Sequence, residues 1–274
     1  MNSKTLPKLI KLLLAPAISC LLIASAQAAT PKKVLVVTVT KGFRHSSIPT
    51  AEKILGEVGK RSGAFTVDYA RNEQEIGEKM TPDALKQYDG VIFANTTGDL
   101  PLPDKQAFID WIKSGKAFVG MHSASDTFHG FPPYIEMLGG EFQTHHAQVR
   151  VDCQNHDPNH PATRHLGATF TVFDEIYLQK NFHRDHVHVL LALDAHPNDK
   201  TPGFYPISWC KEFGNGRVFY TSLGHREDMW DADTPEPFKR ENSKEISEAY
   251  QKHILGGIQW ALGLEKGDAK PQTK

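Results

Sequence analysis

The sequence has almost no excess charge of either sign: 31 Lys and Arg stand against 32 Asp and Glu, a net charge of −1 with a pI near 6.9. That balance removes the electrostatic reason to expect nucleic acid or an anionic membrane as partner, and it favours small neutral ligands. No uninterrupted apolar run reaches the roughly 20 residues that a spanning helix needs, which argues against stable membrane insertion. A Gly-rich phosphate loop followed by Lys is missing, and so is a G-x-S-x-G elbow. Hydride transfer on a nucleotide cofactor and a serine-hydrolase triad therefore have no support. Internal repeats and low-complexity tracts are also lacking. Cysteines number three, Cys20, Cys153 and Cys210.

What is present begins with a leader. Lys4, Lys8 and Lys11 precede an apolar run broken only by Pro16 and Ser19, and small residues Ala26 and Ala28 stand at the cut positions. This pattern predicts a secretory signal over residues 1–28 and a periplasmic or secreted product. Lipid attachment at Cys20 fits less well, because Ala17 stands where such motifs have Leu and the apolar run continues past Cys20. Removal of the leader leaves Cys153 and Cys210 in a compartment that permits a disulfide. Pairing and separate burial both stay open, since spacing carries no geometry.

The remainder reads as one domain over 32–264 followed by a polar tail, 265–274. "KVLVVTVT" is a β-branched run suited to a central parallel strand, and Pro49 with Ser46 or Ser47 starts a helix striped by Ile54, Leu55 and Val58. "AFTVDYA", "YDGVIFANTTG" and "KAFVGMH" are further strands separated by single helices. The expectation is an α/β fold: a doubly wound, mostly parallel sheet with helices on both faces. Later segments, "HHAQVRVDC", "ATFTVFDEIYL", "HVHVLLALD", "FYPISWCKEF" and "GRVFYTSLG", predict an antiparallel β extension. Asn215 and Gly216 are expected to supply the positive φ angles of a hairpin turn. A last helix runs from about Lys244 to Leu262.

In such sheets ligands bind beyond the carboxyl ends of the parallel strands, which selects the loops "KGFRHSS", "NTTGD" and "MHSASD". His122 follows a strand directly; a core histidine bonded to nearby backbone is the alternative. His225 follows another strand, behind Gly224. Glu175 lies within an otherwise apolar strand, where a carboxylate must be exposed, paired or bound to a cation. Alternation puts Asp174 and Glu175 on opposite faces, so one of them should face inward. Two imidazoles and a carboxylate form the ligand set of many catalytic divalent-metal sites, so His122, Glu175 and His225 are candidate ligands for zinc or a similar ion. His145 and His146 are adjacent, so at most one is expected to share the site.

Read in order from about Val34 to Leu262, "VLVVTVTKGFRHSSI", "YDGVIFANTTGD", "GKAFVGMHSASDTF", "YIEMLGGEFQTHH", "DPNHPATRHL", "FDEIYLQKNF" and "GRVFYTSLGHREDMW" resemble the ThuA-like (trehalose utilisation) family. The resemblance implies a class I glutamine amidotransferase-like fold. In that fold the strand-to-helix elbow presents a nucleophilic cysteine. Here the position is His122, so the chain is not expected to be a glutamine amidotransferase. The resemblance also implies a carbohydrate context, with His45, His122, Glu175, Tyr177 and His225 as pocket positions. The expected function is a metal-assisted hydrolase, lyase or isomerase acting on a sugar or 3-keto glycoside. His45 would move protons, Tyr177 would hold a sugar hydroxyl, and Phe128 and Trp230 would stack on the ring. The segment "REDMWDADTPEPF" would suit a lid. The alternative is a non-catalytic sugar-binding or accessory protein that kept the pocket. Association into a homo-oligomer stays open.

Overall fold

The structure is a computed structural model describing residues 1, 30–234 and 237–272. The predicted leader, apart from Met1, lies outside the described residues. In chain order the elements are β1 (Lys32–Val37), α1 (Ile48–Ser62), β2 (Phe65–Ala70), α2 (Glu73–Lys79), α3 (Pro82–Leu85), β3 (Gly90–Ala94), α4 (Lys105–Lys113) and β4 (Ala117–Met121). A 3-10 turn, His122–Asp126, leads to α5 (Pro132–Leu138), β5 (Glu141–His145), β6 (Val149–Asn155), β7 (Thr169–Asp174), β8 (Tyr177–Lys180) and β9 (His188–Ala195). The chain closes with β10 (Pro202–Phe213), β11 (Gly216–Thr221), α6 (Glu227–Trp230) and α7 (Lys244–Ala261). Helix starts follow local chemistry: Asn72, Thr81 and Asp104 cap α2, α3 and α4 by accepting a backbone N–H with their side chains.

Nine strands form one sheet in the order β2-β1-β3-β4-β11-β10-β9-β6-β7, and β5 pairs with β8 in a separate ribbon. β2, β1, β3, β4 and β11 run parallel, while β11, β10, β9, β6 and β7 pair antiparallel. The antiparallel extension follows from the hairpin at β10–β11 and the loss of intervening helices. Along β1, Val34 and Val36 join one core cluster with Ile54, Leu55, Ile254 and Ile258, whereas Leu35 and Val37 join another with Phe108, Ile112 and Met137. Period-two alternation thus buries both faces of β1, which explains its unbroken apolar reading.

Three sequence readings need correction. The hairpin turn is Gly214–Asn215, one residue early: Phe213 pairs with Gly216, and Gly214 carries the positive φ of 63°. Gly216 opens β11, where an added Cβ would stand 2.1 Å from the Ile112 carbonyl oxygen. Secondly, "HHAQVRVDC" is not one strand, because His145 ends β5 and a separate β6 begins at Val149. Thirdly, "ATFTVFDEIYL" breaks at Glu175 and Ile176, so β7 and β8 serve different sheets. Alternation stops at that break, which is why Asp174 and Glu175 are both buried rather than facing apart.

The described part of the tail is tied down. His188 donates to the Lys270 carbonyl at 2.9 Å, and the Gln272 backbone and side chain donate to Val187 and Val189 carbonyls at 3.3 and 3.1 Å. Beneath it, Cys210 lies close to His160, while Cys153 is buried elsewhere; both thiols are free. Burial pushes both thiols above their ordinary range. Cys153 and Cys210 are therefore expected to resist a thiol-reactive dye in the native protein and to react once it is denatured, with reductant leaving the melting temperature unchanged. A reductant-dependent drop in melting temperature would overturn the assignment of free thiols.

Candidate metal centre

Four elements at the carboxyl side of the parallel strands deliver the site. His45 sits in the loop between β1 and α1, His122 is the first residue after β4, Glu175 occupies the β7–β8 break, and His225 lies between β11 and α6. His122 has φ 49°, an uncommon left-handed conformation for a non-glycine residue. From that turn, directly after β4, the imidazole reaches the Ser222 carbonyl just past the end of β11. The cost is on the order of 1 kcal/mol of local strain. Asn95, at the end of β3, also has positive φ (55°), and its amide donates to Ser47 Oγ and to the Gly224 carbonyl, both at 3.0 Å. Asp174 Oδ2 accepts the Gly224 N–H at 2.7 Å. These bonds fix the turn that carries His225.

One donor atom from each of His45, His122, Glu175 and His225 lies within 4.8 Å of the others. His122 Nε2 is 3.1 Å from His45 Nε2, 3.3 Å from His225 Nδ1 and 3.9 Å from Glu175 Oε1; His225 Nδ1 is 3.2 Å from the same carboxylate oxygen. Tetrahedral ligands about 2.1 Å from a zinc-like ion stand roughly 3.4 Å apart. The cluster therefore has suitable donor chemistry at suitable separations. A second observation supports the fit: His122 Nδ1 is 2.8 Å from the Ser222 carbonyl, to which it can only donate. That bond places the proton on Nδ1 and leaves the Nε2 lone pair facing the cluster, as metal-binding histidines require.

Electrostatics agree. Burial, then the neighbouring imidazoles, lower His45 to about 4, and burial holds His122 well below the usual histidine range. Both are neutral and available as donors near pH 7. Burial also lowers His225, but the Glu175 carboxylate beside it outweighs this and the net direction is upward. Asp174 is raised to about 6 by burial, against the opposing backbone N–H bonds.

The remaining sequence candidates divide. Tyr177 lies beside the cluster, its ring 4.3 Å from that of His122, and is buried at 3% exposure. His145 joins the rim, with Nδ1 3.1 Å from Glu175 Oε2, whereas His146 packs on His196 instead. Phe128 and Trp230 are not positioned to stack on a sugar. Phe128 is 2% exposed in the cluster around Phe93 and Tyr134, and Trp230 is fully buried with its indole N–H on the Gly224 carbonyl. Both are apolar enough to be claimed by the core. His45, read as a proton carrier, points its Nε2 at His122 and so stands among the candidate ligands. The described residues of the expected lid are fastened to the helices beside them: Asp231 pairs with Lys53 of α1, and Asp233 with Lys244 of α7. An open groove of about 490 Å³ beside His129, Glu141 and Lys211 includes none of the four donors.

Residues 33–239 match the family profile described as trehalose utilisation. No curated protein matches the chain significantly. Among solved structures, the fold is similar to a ThuA-like protein from Parabacteroides merdae, with TM-score 0.65 and 18% identity over 85% of this chain and 90% of that one. It is similar to a ThuA-like protein from Bacteroides uniformis to the same TM-score, with 22% identity over 87% and 94% of the two chains. A β-galactosidase from Bacillus circulans shares 12% identity at TM-score 0.50 over 84% of this chain and 30% of its own length. At these identities the structural likenesses speak to the fold alone.

Proposed function

The chain belongs to the trehalose-utilisation family, and from that premise we propose that it is an exported carbohydrate-processing enzyme acting on a sugar or 3-keto glycoside with a divalent ion. The observation that carries the reading is the convergence of His45, His122, Glu175 and His225 within 4.8 Å. These four residues would hold the ion, which when bound would polarise a carbonyl or hydroxyl oxygen of the substrate. His122, locked by Ser222, keeps its donor atom free of a proton.

His145 is the residue suited to moving one. Its Nδ1 is 3.1 Å from both Glu175 Oε2 and the His146 carbonyl, so Nδ1 carries hydrogen and Nε2 keeps its lone pair. The side chain is 43% exposed, unlike the four donors, and so can meet an incoming substrate. A carbonyl acidifies the C–H beside it. Nε2 would take that proton, and the Glu175 carboxylate would stabilise the imidazolium formed.

The test is elemental analysis of purified protein, followed by incubation with disaccharides and their 3-keto derivatives. A stoichiometric divalent ion and turnover of a member of that panel are expected. His145→Gln should keep the ion and lower kcat by about 100-fold or more. A metal-free, inert wild type overturns the reading and leaves a non-catalytic sugar-binding or accessory protein.

A further inference from the structure

Among the described Phe, Tyr and Trp side chains, Phe43 alone is strongly exposed, at 67%, and it lies against His45 of the candidate centre. Its ring meets His45 edge-on at 4.9 Å. From there aromatic rings continue through the site: His45 to His122 at 4.6 Å, His122 to Tyr177 at 4.3 Å, and Tyr177 to Phe142 at 4.3 Å. Phe43 is the outermost ring of this series.

The backbone beneath Phe43 is held. Thr97 Oγ1 accepts the Gly42 N–H at 3.1 Å and donates to the Phe43 carbonyl at 3.0 Å, and Lys41 N–H donates to the Thr97 carbonyl at 2.8 Å. A side chain presented from a fixed loop loses little further freedom when it is covered. The exposed apolar area is a single ring; Leu264, the other large apolar side chain exposed beyond Met1, is at 40% and belongs to the segment after α7. A patch of that size is too small for a protein or membrane partner. It matches one sugar ring, whose C–H face packs on an aromatic face while its hydroxyls remain free for polar groups.

We propose that Phe43 is the stacking platform for the pyranose ring of the substrate, the role that buried Phe128 and Trp230 cannot fill. This rests on the carbohydrate reading of the site and narrows it to cyclic sugars that offer an unobstructed C–H face. Acyclic polyols with the same hydroxyls would be refused.

Trehalose serves as the probe and sorbitol as the acyclic control, with calorimetric titration of wild type, Phe43→Ala and Phe43→Trp in metal-loaded and metal-stripped forms. Trehalose should bind wild type, weaken about tenfold in Phe43→Ala and recover in Phe43→Trp, while sorbitol binds none of them. Phe43→Ala should melt at the wild-type temperature and keep the wild-type metal content. Equal trehalose affinity in wild type and Phe43→Ala overturns the proposal, as does equal binding of sorbitol or no trehalose binding by the loaded wild type. The two readings fail separately: Phe43-dependent trehalose binding by a protein that takes up no metal upholds this platform and ends the metal-assisted mechanism.

Discussion

Glu175→Gln should leave the fold intact and weaken divalent-metal binding by more than 100-fold. Gln preserves the side chain's length and one carbonyl oxygen but removes the only anionic donor of the cluster, leaving the three imidazoles of His45, His122 and His225. A divalent ion in a buried pocket without a compensating anion is expensive. Loss of groups that merely support metal ligands typically costs 10–100-fold, so loss of the charged ligand itself should exceed that range. The same change removes the partner that raises His225, so His225 should return toward or below the ordinary histidine range. Chelator competition with wild type and Glu175→Gln reads the affinity, and circular dichroism confirms the fold. Equal metal affinity in the two proteins would remove Glu175 from the ligand set.

The second large effect is acid lability in the metal-free protein. His253 is fully buried, donates from Nδ1 to the Ala162 carbonyl at 2.8 Å, and is lowered by burial to about 3; His160 is lowered by burial to about 4. Unfolded, each titrates near 6.5. Between the folded and unfolded values the unfolded chain binds more protons, so stability falls as pH falls, by about 1.4 kcal/mol per pH unit for each group. Full stability is present above pH 6.5, and by pH 4.5 these two residues alone cost about 5 kcal/mol, a large share of a typical domain's total. His45 and His122 are also lowered and add in the same direction, while Asp174, raised to about 6, opposes them in part. Denaturant melts at several pH values measure the slope. His253→Gln keeps a donor for Ala162 without a titrating group, so its slope should be smaller by about one proton. An unchanged slope would show that His253 protonates in the folded state.

Most of the architecture was legible because it rests on local rules. β1 announces itself by a continuous, mostly β-branched apolar run, and the parallel order by the helices between strands, although two helices rather than one join β2 to β3. Placement of the site was also legible, since the carboxyl ends of parallel strands are where loops converge. The break at Glu175 was not, because nothing in "FDEIY" separates a strand that continues from one that changes sheets; only pairing partners decide that. Trp230 and Phe128 were misplaced for a related reason: an aromatic residue near a polar turn reads the same whether its ring faces solvent or core. Phe43 could have been noticed as a large apolar residue in the otherwise polar loop "KGFRHSS". His145 could not be separated from His146 until β5 was seen to pair with β8.

The donors at positions 45, 122, 175 and 225 each arrive on a different connection of the chain, with no two sharing a helix or a contiguous segment. The cluster is consequently a property of the finished topology. No excised peptide would reproduce it, and grafting it onto another scaffold would demand four loops in register at once rather than the transfer of a motif.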